Sequence, residues 1–254
     1  MMRTSLRKAR WLAVRLVHLA GAFKRGSVMA RCPYCGLSLF RCLSEGSGFQ
    51  CIRCSSGVVQ GSLGWALYDL IGPLAELDAC ELSARSSLAN FLRNNARSVA
   101  ESEYHEDVPP GTTRDGIRCE DVQHLTYADA SFDLVTHTEV LEHVPDDGLA
   151  FKALLRVLKP GGTMIFTIPL NGGPTTVERA RMRDGAVEHL LEPVYHVDSL
   201  RGEGILAFRD YGDDVLDRLE HAGFVDVRIV RLRNRAPWGE LRPVILARRP
   251  VSPC

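Results

Sequence analysis

This chain of 254 residues is notable first for what it lacks. No period of 20–50 residues repeats and no tract is of low complexity, which excludes solenoid arrays and biased linker sequences. No long apolar run is left unbroken near the amino terminus, because Arg15 and His18 interrupt the one that is there. A transmembrane span and a secretory leader therefore both fit poorly. Net charge is absent too, at a formal value of zero, but the balance is uneven. Residues 1–31 contain no acid and hold eight bases (Arg3, Arg7, Lys8, Arg10, Arg15, Lys24, Arg25 and Arg31), leaving 23 bases against 31 acids in the remainder. A remainder of net charge −8 is a poor electrostatic partner for nucleic acid, whose binding depends on phosphate neutralisation. A disulfide framework is also missing. Of eight cysteines, four fall in two Cys-x-x-Cys pairs and the rest scatter. That usage points to a reducing, cytoplasmic setting with one metal site.

Hydrophobic residues make up 45% of the chain and charged ones 24%, enough for one large soluble domain plus something small. The expected division is a basic helix or extension over 1–28, a cysteine module with its linker over 29–62, and the large domain over 63–254. Residues 3–25 plot as an amphipathic helix, with Leu12, Leu16, Leu19 and Phe23 on one face and Arg7, Arg15, His18 and Arg25 opposite. Three readings stay open for it: docking on the large domain, peripheral contact with an anionic membrane surface, or an extension upstream of a start at Met29.

Cys32, Cys35, Cys51 and Cys54 follow a Cys-x2-Cys-x15-Cys-x2-Cys spacing. Two such knuckles bring four thiolates into the tetrahedron taken by a structural Zn²⁺. Gly36 lets the first knuckle pass through a left-handed turn. Cys42 falls between the pairs as a bystander. With four protein ligands the metal has no open position for catalysis, and its role is to supply folding energy to a segment too short for a core. Gly57 to Gly64 is rich in glycine and serine and reads as a linker, with a helix or lid expected over Trp65–Leu77.

The stretch from Arg118 to Pro169 reads as strand, helix, strand. Phe132–Thr136 is a short apolar run suited to a buried parallel strand. From Asp146 the spacing turns helical, with Leu149, Ala153, Leu154, Val157 and Leu158 on one face and Asp146 and Asp147 placed to cap it. Pro160-Gly161-Gly162 stops the helix, and Thr163–Ile168 is a second β-branched strand. Such a unit crosses over right-handed into a parallel sheet. Further strands are expected at Asp78–Leu82, Ser98–Tyr104 and Ile117–Cys119. Glu81, Glu103 and Asp121 each follow one of them, and ligands of open parallel sheets bind at those strand ends.

The order of Asp121, Phe132-Asp133-Leu134-Val135, Val140-Leu141-Glu142-His143-Val144 and Leu158-Lys159-Pro160-Gly161-Gly162 resembles the Rossmann-like S-adenosylmethionine-dependent methyltransferases, in the branch of small-molecule and quinone-biosynthesis enzymes. It covers roughly residues 75 to 250. The resemblance implies an α/β fold, a doubly wound, mostly parallel seven-stranded Rossmann-like sheet, preceded here by the N-terminal helix and the small zinc ribbon. It implies S-adenosylmethionine as cofactor. Glu81 occupies the acid position after the first strand, Glu103 that of the ribose-binding acid, and Asp121 that of the adenine acid with Val122 against the ring. Thr136, His137, Thr138 and Glu139 line the floor below the transferable methyl group. The first turn departs from the pattern: it reads Ser83-Ala84-Arg85-Ser86-Ser87 where the family has three glycines. Ser83 and Ser87 are small enough to fit and can contact the methionine carboxylate, and Arg85 can pair with it; alternatively the turn blocks the cofactor and the domain is an inactive relative.

The motif of DNA and amide methyltransferases is missing, which points away from amide and adenine-amino acceptors. His143, His137 and His196 are the candidate general bases for a hydroxyl acceptor, with a core role open for His143 and a surface-loop role for His196. A long insertion from Pro169 to Gly212 carries Tyr195 and His196 and is placed to cap an acceptor pocket. The leading expectation is methyl transfer to a small-molecule, lipid or glycan hydroxyl. The alternatives are an RNA or protein methyltransferase presenting its substrate on the zinc ribbon, and a non-catalytic adapter.

Overall fold

The computed structural model describes residues 26–43, 48–197 and 204–251; the amphipathic stretch 3–25 lies outside them. A three-stranded antiparallel sheet comes first, made of β1 (Ser27–Cys32), β2 (Gly36–Cys42) and β3 (Phe49–Cys51). Helix α1 (Val58–Ala66) follows and continues into a single π-helical turn at Leu67–Ile71. The stretch that composition marks as a linker is therefore helical, and the expected boundary at residue 62 falls inside α1. Close packing explains the glycines: a side chain on Gly61 would meet the Trp238 ring at 2.7 Å, and one on Gly64 would meet Pro33 and Tyr34 at 2.7 Å.

The large sheet is built from β4 (Asp78–Glu81), β5 (Ser98–Glu103), β6 (Thr113–Arg114), β7 (Ile117–Cys119), β8 (Phe132–Thr138), β9 (Leu158–Thr167), and, after the insertion, β16 (Val225–Val230) and β17 (Val244–Arg248). Their order across the sheet is β16-β17-β9-β8-β4-β5-β7-β6. The five strands from β9 to β7 are parallel, while β17 runs antiparallel to both its neighbours. Seven strands form the expected frame, and the eighth, β6, is a two-residue strand paired with β7 at the edge.

Helix α2 (Ser87–Asn95) joins β4 to β5, α3 (Asp147–Val157) joins β8 to β9, and α4 (Val215–His221) precedes β16. One face of the sheet packs Val135, Phe166 and Ile245 under α3 and α4; the other packs Leu134, Ile165 and Leu246 under α1 and α2. In α3, Asp146 caps the first turn by accepting the Leu149 N–H at 3.0 Å. Leu149, expected on the inner face, is 42% exposed, and Phe151 takes its place in the core. The helix ends at Val157, one turn before the glycines. Gly162 is demanded by β9 itself, since a side chain there would stand 2.8 Å from the Lys159 carbonyl.

At the amino ends of β4 and β8, Lys159 bridges Asp78 and Asp133 at 2.8 Å each, and Arg97 closes on Asp78. That clamp leaves the opposite edge, where the parallel strands end, free for a site. The insertion lies over that edge as three two-stranded pieces: β10 (Val177–Glu178) with β15 (Arg209–Asp210), β11 (Ala180–Arg183) with β12 (Ala186–His189), and β13 (Tyr195–Val197) with β14 (Gly204–Leu206).

Candidate active site and metal centre

Three expected carboxylates do meet along the carboxyl edge: Glu81 ends β4, Glu103 ends β5, and Asp121 lies two residues beyond β7. Glu81 is wholly buried. Burial pushes its carboxyl well above the usual range, and the nearby Glu103 charge adds to the shift. Thr136 donates its hydroxyl to Glu81 from inside the sheet. Its hydroxyl is thus engaged with Glu81, and its side chain is fully buried. Asp121 caps the short turn Val122–His124, accepting the Gln123 N–H at 2.9 Å, with His124 Nδ1 at 3.2 Å from its second oxygen. Val122 is buried beside it.

The glycine-free turn is unstrained. No residue from Leu82 to Ser87 takes a positive φ, so the conformation does not require glycine. Arg85 is exposed, Ala84 is the buried residue of the turn, and Ser86 caps α2 by accepting the Ala89 N–H at 2.9 Å. The Ser87 hydroxyl is buried with no hydrogen-bond partner among the described residues. A buried, unpaired hydroxyl beside two acid-bearing strand ends is a feature that a polar cofactor would satisfy.

The three histidines separate sharply. His137 is sealed inside the sheet at 0% exposure, stacked on Phe166 at 4.5 Å, with neither ring nitrogen hydrogen-bonded. Burial pushes its pKa down to about 3. The expectation that His137 acts as a base is corrected here, since no acceptor can reach a group enclosed by core side chains. His143 and His196, 53 positions apart, come together: their rings meet edge to face at 4.9 Å. His143 follows β8 in a short 3₁₀ turn, and its Nδ1 lies 2.8 Å from the Leu206 carbonyl. His196 comes from β13, while its neighbour Tyr195 is exposed.

Glu142 was quoted only as part of a motif, yet it is the group that unites the pair. Its Oε1 lies 3.7 Å from His143 Nε2 and 3.7 Å from His196 Nδ1, an ion-pair contact too long for a hydrogen bond. That carboxylate raises the His196 pKa. Glu139 stands nearby with a left-handed backbone (φ 50°), and burial pushes its carboxyl up to about 7. Arg209, 3% exposed, fixes this corner by donating to the carbonyls of Leu141 (3.2 Å), Val144 (2.6 Å) and Pro145 (2.8 Å). The i, i+3 spacing of Glu139 and Glu142 next to His143 was the available signal for this cluster. His196 could be joined to it only by the fold.

The four knuckle sulfurs form a second centre. Cys32 and Cys54 stand 3.5 Å apart, as do Cys35 and Cys51, and all four Sγ atoms lie within 4.8 Å of one another. With Zn–S bonds of about 2.3 Å, a tetrahedron spaces its sulfurs about 3.8 Å apart, so the donor set fits. Ser38 and Ser56, both buried, contact the sulfurs of Cys51 and Cys54 at 3.2 Å each. Cys42 is outside the cluster.

The family model of the methyltransferase domain matches residues 78–166, from the first residue of β4 into β9. Over residues 78–166 the chain is thus similar to a methyltransferase domain. Glu81, Glu103, Asp121, Glu142 and His143 lie inside that stretch; His196 and the cysteine module lie outside it. The ubiquinone biosynthesis O-methyltransferase of Coxiella burnetii is 40% identical over 50 residues, 20% of this chain and 21% of that one. The methyltransferase GfsG of Streptomyces halstedii is 32% identical over 115 residues, 44% of this chain and 39% of that one. The chain thus spans about a fifth of the length of the ubiquinone-pathway relatives it matches. Among solved structures, an S-adenosylmethionine-dependent methyltransferase from Mesorhizobium loti is 18% identical, covers 74% of this chain and 98% of its own, and superposes with a TM-score of 0.49.

Proposed function

We propose that this protein is an S-adenosylmethionine-dependent O-methyltransferase acting on a small molecule, with a structural Zn²⁺ in its cysteine module. The observation that carries this reading is the convergence of Glu81, Glu103 and Asp121 at the ends of neighbouring parallel strands, beside a turn whose Arg85 is exposed. Glu103 and Asp121 would hold the adenosyl group, the first by accepting from the ribose diol and the second from the adenine amino group, with Val122 against the ring. The Ser83 to Ser87 turn would take the methionine end, where the unpaired Ser87 hydroxyl is available. When bound, the cofactor supplies an electrophilic methyl group on a sulfonium sulfur.

What the chain's own residues contribute is placement and proton handling. Holding acceptor and methyl in line can supply about 7–11 kcal/mol of the barrier. A hydroxyl must also lose its proton, and the Glu142–His143–His196 corner, at the mouth of the insertion, is the group placed to manage it. A small-molecule acceptor is supported by the match to the ubiquinone biosynthesis O-methyltransferase and by the net charge of −8 over residues 32–254, a poor match to nucleic acid. A lipid or glycan hydroxyl fits the same chemistry.

Calorimetry with S-adenosylhomocysteine on the zinc-loaded chain tests the cradle. Glu103→Ala and Asp121→Ala should each weaken binding by about 1–3 kcal/mol, the cost of leaving a bound donor unmatched. A folded wild-type protein that takes up no S-adenosylhomocysteine would leave the adapter reading in possession.

A further inference from the structure

We propose that Arg231, Arg233 and Arg242 bind an anionic group, a carboxylate or a phosphate, carried by the acceptor; this rests on the reading that an acceptor enters at the carboxyl edge of the sheet. The loop from 231 to 243 joins β16 to β17. It runs out and back in one register, with Val230 paired to Val244 and Arg235 bridged to Gly239. That register sets Arg242 across from Leu232, flanked by Arg231 and Arg233. The loop leaves the sheet at the same edge as Glu81, Glu103 and Asp121. Ile245 pairs with Phe166, one residue before the Thr167 carbonyl that accepts the Glu139 N–H at 3.0 Å. Arg242 is close enough to Glu139 for its charge to act on that carboxyl.

The second observation is a concentration of poorly matched charge. Residues 231–242 hold four arginines and one acid, Glu240, inside a stretch (32–254) whose net charge is −8. Arg235 is already engaged: it pairs with Asp69 and lies over the Trp65 ring at 4.6 Å. The other three arginines are exposed. Among the described residues, Arg233 and Arg242 make no side-chain hydrogen bond or ion pair, and Arg231 has only Asp213, at 3.9 Å. Like charges held close repel, and this backbone cannot spread to relieve them. It is pinned through Arg235, through Trp238 donating to the Phe49 carbonyl at 2.7 Å, and through the Arg242 N–H donating to Ser62 Oγ at 2.9 Å. An anion removes that repulsion. The planar guanidinium fork matches the paired oxygens of a carboxylate or phosphate, which makes arginine the residue suited to such a site.

The rim sets orientation. Its anchors, Phe49 on β3 and Ser62 in α1, tie it to the cysteine module and to the packed face of the sheet. A loop held in that way meets the anion without first being ordered. Fixing the anionic end of the acceptor decides which of its hydroxyls faces the methyl group. A neutral analogue of the same shape loses the guanidinium contacts and, with them, that orientation.

Calorimetry on the zinc-loaded full chain, with S-adenosylhomocysteine added in excess, tests the rim with three probes of similar size: benzoate, phenyl phosphate and the neutral benzyl alcohol. At least one anion is expected to bind about 10-fold tighter than benzyl alcohol, the strength of hydrogen bonds to a charged group. Benzoate ahead assigns a carboxylate to the acceptor, and phenyl phosphate ahead assigns a phosphate monoester. Arg242→Gln and Arg233→Gln should each weaken the favoured anion by about 10-fold and leave benzyl alcohol unchanged. Both side chains are exposed, so an unchanged Tm serves as the folding control. Arg114→Gln removes the same charge on β6, at the far edge of the sheet, and should change nothing. Equal binding of the three probes, binding of none, or equal affinities in Arg114→Gln and Arg242→Gln overturns the proposal. S-adenosylhomocysteine uptake in the same samples separates the two ideas. Uptake without a preference for anions sinks the rim alone; no uptake, with an anion preference that Arg242→Gln abolishes, sinks the cofactor reading alone.

Discussion

His137 illustrates how burial decides what a side chain can do. It sits one strand position from Thr136 and six from His143, yet the core encloses it and leaves both ring nitrogens without partners. Its pKa is pushed down to about 3, whereas an unfolded histidine titrates near 6.5. Between those values the unfolded chain binds the proton and the folded chain does not, so this residue makes stability fall as pH drops below about 6.5. The slope from one such group is about 1.4 kcal/mol per pH unit. His137→Phe keeps the stacking on Phe166 and removes two unsatisfied polar atoms, a change that is neutral or stabilising when shape is preserved. Urea denaturation at pH 7 and pH 5 should show the variant at least as stable as wild type at pH 7, with a smaller loss at pH 5. Equal losses in the two proteins would mean that His137 is reached by protons in the folded state. Glu142, five residues on, is just as buried but faces two imidazoles, and there burial creates a site.

Helix α1 shows why some elements were legible in the sequence and others were not. Strands β4, β8 and β9 could be read because each buries an apolar run and ends in a polar residue, and α3 because Asp146 announces its start. Leu149 was misplaced because it lies at one edge of the stripe centred on Ala150, Leu154 and Val157, and the structure turns α3 so that Phe151, on the opposite edge, is buried instead. Helix α1 was invisible for a different reason: its buried residues include Gly61, Ser62 and Gly64 beside Leu63 and Trp65, and composition alone assigns glycine and serine to a flexible segment. Its hydroxyls are also used internally, with Ser62 donating to the Val58 carbonyl at 2.7 Å and accepting the Arg242 N–H at 2.9 Å. In the middle of an exposed helix, Gly→Ala stabilises by roughly 0.5–1 kcal/mol. At Gly64 the sign should reverse, because the new methyl would meet Tyr34 and Pro33 at 2.7 Å and overpacking costs about 1–3 kcal/mol. Thermal unfolding of Gly64→Ala checks this: a lower Tm with faster loss of zinc to a chelator is expected. A raised Tm would show that the cysteine module moves aside freely.

At the scale of the molecule, the cysteine module and the large-sheet domain share an interface of side chains from both. Tyr34, between Cys32 and Cys35, donates to the Gln60 carbonyl of α1 and packs its ring on Phe91 of α2 at 5.2 Å. From the other side, Trp238, which precedes β17, donates to the Phe49 carbonyl at 2.7 Å and meets Phe40 edge to face at 5.0 Å. The module's own buried core is four residues, Ala30, Cys32, Phe40 and Cys51, too few to fold without the metal. Removing zinc would release Tyr34 and Trp238 together, and with them the packing that orders α1 against the sheet face carrying Leu134 and Leu246. Zinc loss should therefore be felt beyond the module. Calorimetry of the intact chain, with and without a strong chelator, is expected to show one cooperative transition that moves to lower temperature as zinc is stripped. S-adenosylhomocysteine affinity should fall with it, since α2 begins at the cofactor turn and bears Phe91. A small separate transition that vanishes on chelation, beside a main transition that stays put, would instead make the module an appendage whose role lies with a partner.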